Sequence, residues 1–420
     1  MNKLFQIIGA FFNTENYTLK NLAFYILVIM SIQYFPLESH AGVSIVKVGT
    51  MGLLVLIFLT HFKMSRAVGI AFIYMIYIIY TAYFLHGSSF RASTVIYSFL
   101  FFITYATFYN LIWVEQAIDM DEFMIFVKRF IYVLVVVLIM QQILHLAGIG
   151  EFPLINMTRA LRRSILAGNS LSYEPSTLAR TLGVLYYVYL KCHEYKQGRP
   201  INIQQIFNEE HLKVTIAFAW AMFTMGSGTA FICLAVLSLY FMKGAYFVFA
   251  IPIFVAVYFT LSYFEVKQFE RATNVAEATM TGDVDEVREV DGSASERVAP
   301  LLNTINDLDF QKNETWVGHG VDYSVRIARS RGIRKIGEID DYGLIAYALS
   351  LSLVFLCAID FFSLATIMFF LGIGGGTGNI AYGWGLLMLF TCMKYFHSKY
   401  RQNEEWDGDG EQEQEIVERE

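Results

Sequence analysis

The chain predicts an all-α polytopic membrane protein with about twelve transmembrane helices and one large loop outside the membrane. Three observations carry that prediction. Of 420 residues, 56% are hydrophobic and only 16% charged, against roughly 25% charged in a soluble chain, and mean hydropathy is +0.47. Apolar runs recur at lengths of roughly 17–22 residues, which match the hydrocarbon core of a bilayer. The short polar connections between them alternate between cation-rich and cation-poor, as the two sides of a membrane require.

Taken in order, Leu4, Ile8, Phe11 and Phe12 share one helical face and predict an amphipathic segment lying on the membrane. No small-x-small cleavage site follows, so a removed leader is not expected. Spans are expected at 21–36, 43–61, 67–85, 93–113, 124–147, 176–192, 213–226, 229–242, 245–264, 342–359, 361–373 and 380–397. Helix is the expected form for each, because unpaired backbone groups in hydrocarbon cost several kcal/mol apiece.

The cations set the expected orientation. Lys63, Arg66, Lys128, Arg129, Lys191, Lys196, Arg199, Lys213, Lys243, Lys394, Lys399 and Arg401 fall on one side, which places both termini in the cytoplasm. The arginine-rich segments 148–175 and 265–341 fall on the other side, since long loops cross with little regard to charge. The chain then divides into a first membrane bundle over 1–264, with 148–175 external. A large outer loop over 265–341 and the last membrane helices over 342–397 follow. An acidic cytoplasmic tail, 398–420, is expected to be solvated and without fixed structure.

The net charge of −6 comes from acids gathered in that tail and in the 280s, so no nucleic-acid partner is expected. Cys192, Cys233, Cys357 and Cys392 lack metal-ligand spacing and read as small buried hydrophobes. No internal repeat stands out. The run GIGGGTG at 372–378 lacks the strand and the Gly-Lys that a phosphate loop needs, and reads as a tight turn.

Candidate chemistry gathers at three places. In SLSYEPSTLAR, 170–180, Glu174-Pro175 marks the start of a helix, where a carboxylate can serve the helix dipole or act chemically. Arg159, Arg162 and Arg163 precede it, and Arg180 lies about a turn inside the next apolar run, where an arginine is costly unless used. In the outer loop, Arg297 stands in GSASER and His319 in GHG, contexts that let backbone approach a ligand closely. The cations from Arg326 to Lys335 instead suit anionic headgroups. In MGSGT, 225–229, Gly226 and Gly228 either aim Ser227 and backbone amides at an anion or simply turn the chain. Asp283 and Asp285 in DVDE mimic a metal motif, but they sit in an acidic, loop-like run and no metal is expected there.

On this topology, Arg163…Ser172-Tyr173-Glu174-Pro175-Ser176, Gly226-Ser227-Gly228, Ser293-Ala294-Ser295-Glu296-Arg297 and Gly318-His319-Gly320 resemble the Wzy-type O-antigen and capsule repeat-unit polymerases. These join the O-antigen ligases in one superfamily of membrane glycosyltransferases with GT-C-like architecture. The resemblance implies an enzyme of the bacterial inner membrane that needs no cofactor and no metal. It would join oligosaccharide repeats carried on undecaprenyl pyrophosphate at the periplasmic face. Its partners would be that lipid-linked glycan, the bilayer and, optionally, a chain-length regulator. It implies Arg163, Arg180 and Arg297 on the pyrophosphate, Glu174 ahead of His319 as base, and Tyr173 and Ser227 touching substrate. The chemistry suits these types: guanidinium forks neutralise a departing pyrophosphate, and a weakly nucleophilic sugar hydroxyl needs a positioned base. One departure matters. The ligase branch uses a loop histidine as base, and His319 lacks an evident ligase-type pattern after it. Two other readings stand beside the polymerase: a ligase of the same architecture, and a transporter of the same lipids. A transporter would ordinarily show internal repeats with broken helices.

Overall fold

A computed structural model describes residues 16–35, 44–150, 152, 166–242, 259, 263, 267–290, 292–373 and 381–417. Every secondary-structure element among them is a helix. The first eight main helices are α1 Asn16–Ser31, α2 Ile45–Thr60, α3 Arg66–Leu85, α4 Ala92–Trp113, α5 Met120–Leu146, α6 Pro175–Gln197, α7 Glu209–Thr224 and α8 Gly228–Phe241. Side-chain caps fix several starts: Ser44 accepts from the Lys47 amide, Ser65 from Val68 and Asp119 from Asp121. Each satisfies an amide that the first helical turn leaves without a carbonyl. The π-turn Tyr80–Leu85 closes α3.

Then come α9 Lys267–Thr281, α10 Val284–Val290, α11 Gly292–Asn306, α12 Asn313–Val317 and α13 Tyr323–Arg331, followed by α14 Gly337–Cys357, α15 Leu364–Ile373 and α16 Ala381–Val417. The segment expected as a large loop is thus substantially helical. The tail expected to lack fixed structure continues α16 to Val417; its Glu and Gln residues favour helix strongly enough to extend a helix already nucleated. The amphipathic start, the span at 245–264 apart from residues 259 and 263, Arg159, Arg162 and Arg163, and most of GIGGGTG lie outside the described residues.

Among the described residues, four helices, α3, α4, α5 and α14, are long and apolar enough to cross a membrane. Shorter apolar helices lie at Leu19–Ser31, Ile45–Thr60 and Gly228–Phe241. The centre of the bundle is α6, which packs on α5, α8, α15 and α16. Leu182, Leu185, Val188, Leu190 and Cys192 are fully buried on it. Its polar residues pair within the fold, as Lys191 does with Glu194 at 2.8 Å. Trp384 of α16 is enclosed by Phe101, Phe102 and Tyr105 of α4, with ring centroids 6.0, 4.9 and 5.7 Å away. Gly385 lets α16 cross α1 backbone to backbone, since a Cβ there would sit 2.6 Å from the Ser31 amide nitrogen. All four cysteines are buried and unpaired, as their sequence surroundings predict.

Lys63 and Lys196, both expected on one side, share one end of the bundle with Lys20. Lys20 meets Glu122 at 2.7 Å, Lys63 meets Glu115 at 2.6 Å, and Lys196 meets Asp121 at 2.5 Å. At the same end Asp360 receives His397 Nδ1 at 3.4 Å and Lys394 Nζ at 3.2 Å. The His397 hydrogen bond, with the Lys394 charge, holds the Asp360 carboxyl down to about 2. A depressed carboxylate stabilises the fold above its unfolded value, about 4, and loses that contribution as pH falls through about 2. Asp360 is 52% exposed, so screening limits the effect to about 1 kcal/mol or less. Asp360→Asn should therefore lower the thermal midpoint slightly at pH 7, and the gap from wild type should close as both are measured toward pH 2.

Candidate functional site

The segment before α6 is pinned to α5 by two buried amide side chains, Gln142, whose Nε2 donates to the Leu166 carbonyl at 2.7 Å, and Gln141. Gln141 Oε1 accepts from the Asn169 and Ser170 amides at 3.1 and 2.7 Å, and its Nε2 donates to the Ser170 carbonyl at 3.2 Å. Ser170 Oγ donates to the Leu134 carbonyl at 2.6 Å, and Asn169 Nδ2 donates to the Ser172 carbonyl. The chain then reaches Glu174 in extended conformation, φ −137° and ψ 149°, with Pro175 opening the helix. The Glu174 carbonyl accepts from Thr177 and Leu178. Its carboxylate makes no cap hydrogen bond; it is exposed and accepts from Ser176 Oγ at 3.2 Å. The structural role open to this acid, capping α6, is therefore not the one its side chain performs. Tyr173 beside it is exposed, with its amide held by Gln33 Oε1 at 3.0 Å.

Arg180 follows on α6, half-buried in the bundle. Its Nη1 donates to the Tyr382 hydroxyl at 3.1 Å, and Tyr382 donates onward to the Gly372 carbonyl at 3.2 Å. Arg180 Nε is buried without an acceptor, and among the described residues no carboxylate pairs with this guanidinium. Ser227 occupies the N-cap position of α8, nearly buried and without a side-chain cap bond, after Gly226 at φ 72° has turned the chain from α7. Arg163 lies outside the described residues. Arg297 belongs to α11, and its side chain is not described.

His319 lies against the first turns of α14. Its amide donates to the Asp340 carbonyl at 3.0 Å, and the Gly320 amide donates to that of Asp341 at 2.9 Å. Gly318 at φ 75° and Gly343 at φ 84° face this junction. A Cβ on Gly318 would lie 2.3 Å from the Asp341 carbonyl oxygen, and one on Gly343 would lie 2.1 Å from that of Trp316. The close approach read from GHG is thus made by the protein's own backbone, where sequence pointed to a ligand. The imidazole stacks on Tyr323 at 4.3 Å and 8° and is about one-third exposed. Its Nδ1 lies 3.2 Å from the Asp340 carbonyl oxygen. A carbonyl can only accept, so Nδ1 carries the proton and Nε2 is the basic nitrogen.

Three acids that the sequence reading passed over build this junction: Glu338, Asp340 and Asp341, all buried. Tyr74 donates to Glu338 Oε1 at 2.7 Å, and the Ser324 amide donates to Asp341 Oδ1 at 2.7 Å. Lys335 bridges Asp340 at 3.3 Å and Asp307 at 3.0 Å, so it is an internal ion pair and not one of the headgroup cations. Arg91 anchors Asp322 at 2.7 Å. The available signal was GEIDDYG abutting an apolar run, since three acids at the mouth of a span are expensive unless partnered. Asp283 accepts from the Asp285 amide at 2.8 Å at the start of α10, a capping arrangement.

These residues occupy separate elements: Tyr173, Glu174 and Arg180 on and before α6, Ser227 at the start of α8, and His319 at the α14 junction. They belong to an all-helical protein with helices fit to cross a membrane. No family model matches the chain, and no curated protein or solved structure matches it.

Proposed function

We propose that this protein is a membrane glycosyltransferase that polymerises oligosaccharide repeats carried on undecaprenyl pyrophosphate. It would lie in a bacterial inner membrane, with about twelve spans and both termini cytoplasmic, and would work at the opposite face. The observation that carries the reading is Arg180: a guanidinium inside an apolar bundle, held among the described residues by a tyrosine hydroxyl, with a buried N–H unused. Such a group is costly to keep unless an anion completes it, and a pyrophosphate suits its fork. In the reaction a sugar hydroxyl of the incoming repeat attacks the anomeric carbon of the growing chain. The base takes the hydroxyl proton as the anomeric C–O bond breaks, and undecaprenyl pyrophosphate leaves with the electron pair onto Arg180 and its neighbours. The exposed Glu174 carboxylate is the first candidate for the base.

A second reading, transfer of a finished glycan to a different acceptor, is favoured by one observation. His319 is held with its basic Nε2 away from the Asp340 carbonyl, as a loop histidine base requires. One assay separates the readings. The purified protein in liposomes is given a lipid-linked repeat unit, with and without a lipid-core acceptor. A ladder of lengthening lipid-linked glycans with release of undecaprenyl pyrophosphate is the expected result. A single transfer that needs the core acceptor selects the ligase, and no transfer of either kind rejects both.

A further inference from the structure

At the end of α6 far from Glu174, a second constellation joins α6 to α7. His193 on α6 and Glu210 and His211 on α7 each bring a ligand atom within 4.8 Å of the other two. The nineteen residues from Glu174 to His193 correspond to about 28 Å of helix, so this constellation is not part of the candidate active site. We propose that it is a binding site for one divalent metal ion of the zinc class, which clasps α6 to α7.

The chemistry of the set argues for a metal. His193 and His211 are nearly fully buried, at 6% and 3% exposure. Their rings stand 4.6 Å apart and almost perpendicular, at 84°. Glu210 lies at the mouth, with Oε1 3.8 Å from His193 Nδ1 and a side chain 63% exposed. Two imidazoles and one carboxylate are the borderline donors that zinc and its first-row neighbours prefer. A tetrahedral zinc site with bonds of about 2.0–2.2 Å places its ligand atoms roughly 3.3–3.5 Å apart. Closing from 4.8 Å needs only a swing of the exposed Glu210 side chain and small ring rotations. Three protein ligands leave the fourth position for water, on the open side beside Glu210.

The surroundings match those of ligating histidines. Such a histidine ordinarily gives its other ring nitrogen to a hydrogen-bonding group that fixes its orientation. With the metal on His211 Nε2, the Tyr189 hydroxyl, 2.9 Å from His211 Nδ1, supplies that group. The same buried tyrosine ring packs edge-on against His193 at 4.6 Å. Two cations stand nearby, and both are engaged: Lys196 by Asp121 at 2.5 Å, and Lys128 by the Glu210 carbonyl at 3.4 Å. The sequence hides the site because its ligands come from two helices, seventeen positions apart, with only the adjacent Glu210-His211 pair to mark it.

The test uses the full chain in detergent, without a histidine tag, stripped by a chelator and then titrated with zinc chloride. The expected result is one tightly held zinc per chain by elemental analysis after dialysis, with a raised thermal midpoint. Glu210→Gln, at an exposed position, should leave the metal-free midpoint unchanged and weaken zinc at least about tenfold. His193→Gln should lose the stoichiometric zinc. The proposal is overturned if the stripped wild type takes up no stoichiometric zinc. It is equally overturned if both variants bind zinc as the wild type does, which would make the two histidines an ordinary buried pair. Glycan transfer is not measured, so the result is independent of the polymerase reading.

Discussion

Gly343→Ala is expected to pull the Trp316–Gly320 segment off α14 and destabilise the protein by roughly 2–6 kcal/mol. The magnitude has two sources. Gly343 sits at φ 84° and ψ 176°, a region open essentially to glycine alone, and holding a residue with a Cβ there costs about 1–3 kcal/mol. The added methyl would also lie 2.1 Å from the Trp316 carbonyl oxygen, and forced overpacking against atoms that cannot swing aside costs about 1–3 kcal/mol more. That carbonyl belongs to backbone tied to α14 through the His319 and Gly320 amides, so it cannot retreat without breaking those bonds. Gly332 provides the comparison. Its φ is 70°, but a Cβ there meets nothing within 4 Å. Gly332→Ala, in the left-handed helical region at ψ 3° and without a clash, should cost only about 1–2 kcal/mol. Thermal unfolding of both variants in detergent measures the difference. Tryptic cleavage between Arg326 and Lys335 should also accelerate in Gly343→Ala and much less in Gly332→Ala. Equal losses in the two would mean that neither the facing-glycine contact nor the glycine-only conformation at Gly343 adds to the cost.

This junction also marks where sequence reading stops. Helices set by local signals are legible almost to the residue. Spans expected at 67–85 and 93–113 are helices Arg66–Leu85 and Ala92–Trp113, because Ser65 caps the first and apolar residues fill both. Hydropathy places the start of the span in α14 at 342, and α14 does break there: Gly343, at φ 84° and ψ 176°, separates an opening turn over 337–342 from the apolar helix that follows. A span read from hydropathy begins after its last acid, and the turn ahead of it, with Glu338, Asp340 and Asp341, is built by partners supplied elsewhere. Tyr74 is 264 positions from Glu338, and Ser324 is 17 from Asp341. The GHG glycines are legible as a place of close approach. The approaching group is not, because the Asp341 carbonyl that meets the Gly320 amide lies far along the chain, beyond the whole of α13. Arg180 is legible for the opposite reason: a lone cation in an apolar run is conspicuous without any knowledge of its neighbours. Its position on the bundle's most enclosed helix is not, since the polar residues of α6 lower its hydropathy while their pairing allows it to be buried.

Glu174→Gln is expected to fold as the wild type and to lose glycan extension by a factor on the order of 10²–10⁴, the usual cost of removing a general base. The structure makes this variant cleaner than an ordinary helix-start substitution. The Glu174 carbonyl, which the change leaves intact, accepts the first amides of α6, and the carboxylate makes no cap bond. An amide oxygen can still accept from Ser176 Oγ as the carboxylate does at 3.2 Å. An unchanged thermal midpoint should accompany the lost activity, which separates chemistry from folding. His319→Gln is the companion variant. Glutamine can still donate toward the Asp340 carbonyl but has no basic nitrogen, and it gives up the stack on Tyr323. If Glu174→Gln extends the lipid-linked repeat normally while a folded His319→Gln does not, the base is the imidazole and the ligase reading gains. If Glu174→Gln is folded and inactive, a pH profile decides between proton transfer and substrate orientation. Loss of the acidic limb of kcat in the residual activity identifies Glu174 as the group that takes the acceptor's proton, whereas an unshifted profile with a raised KM makes it a positioning residue.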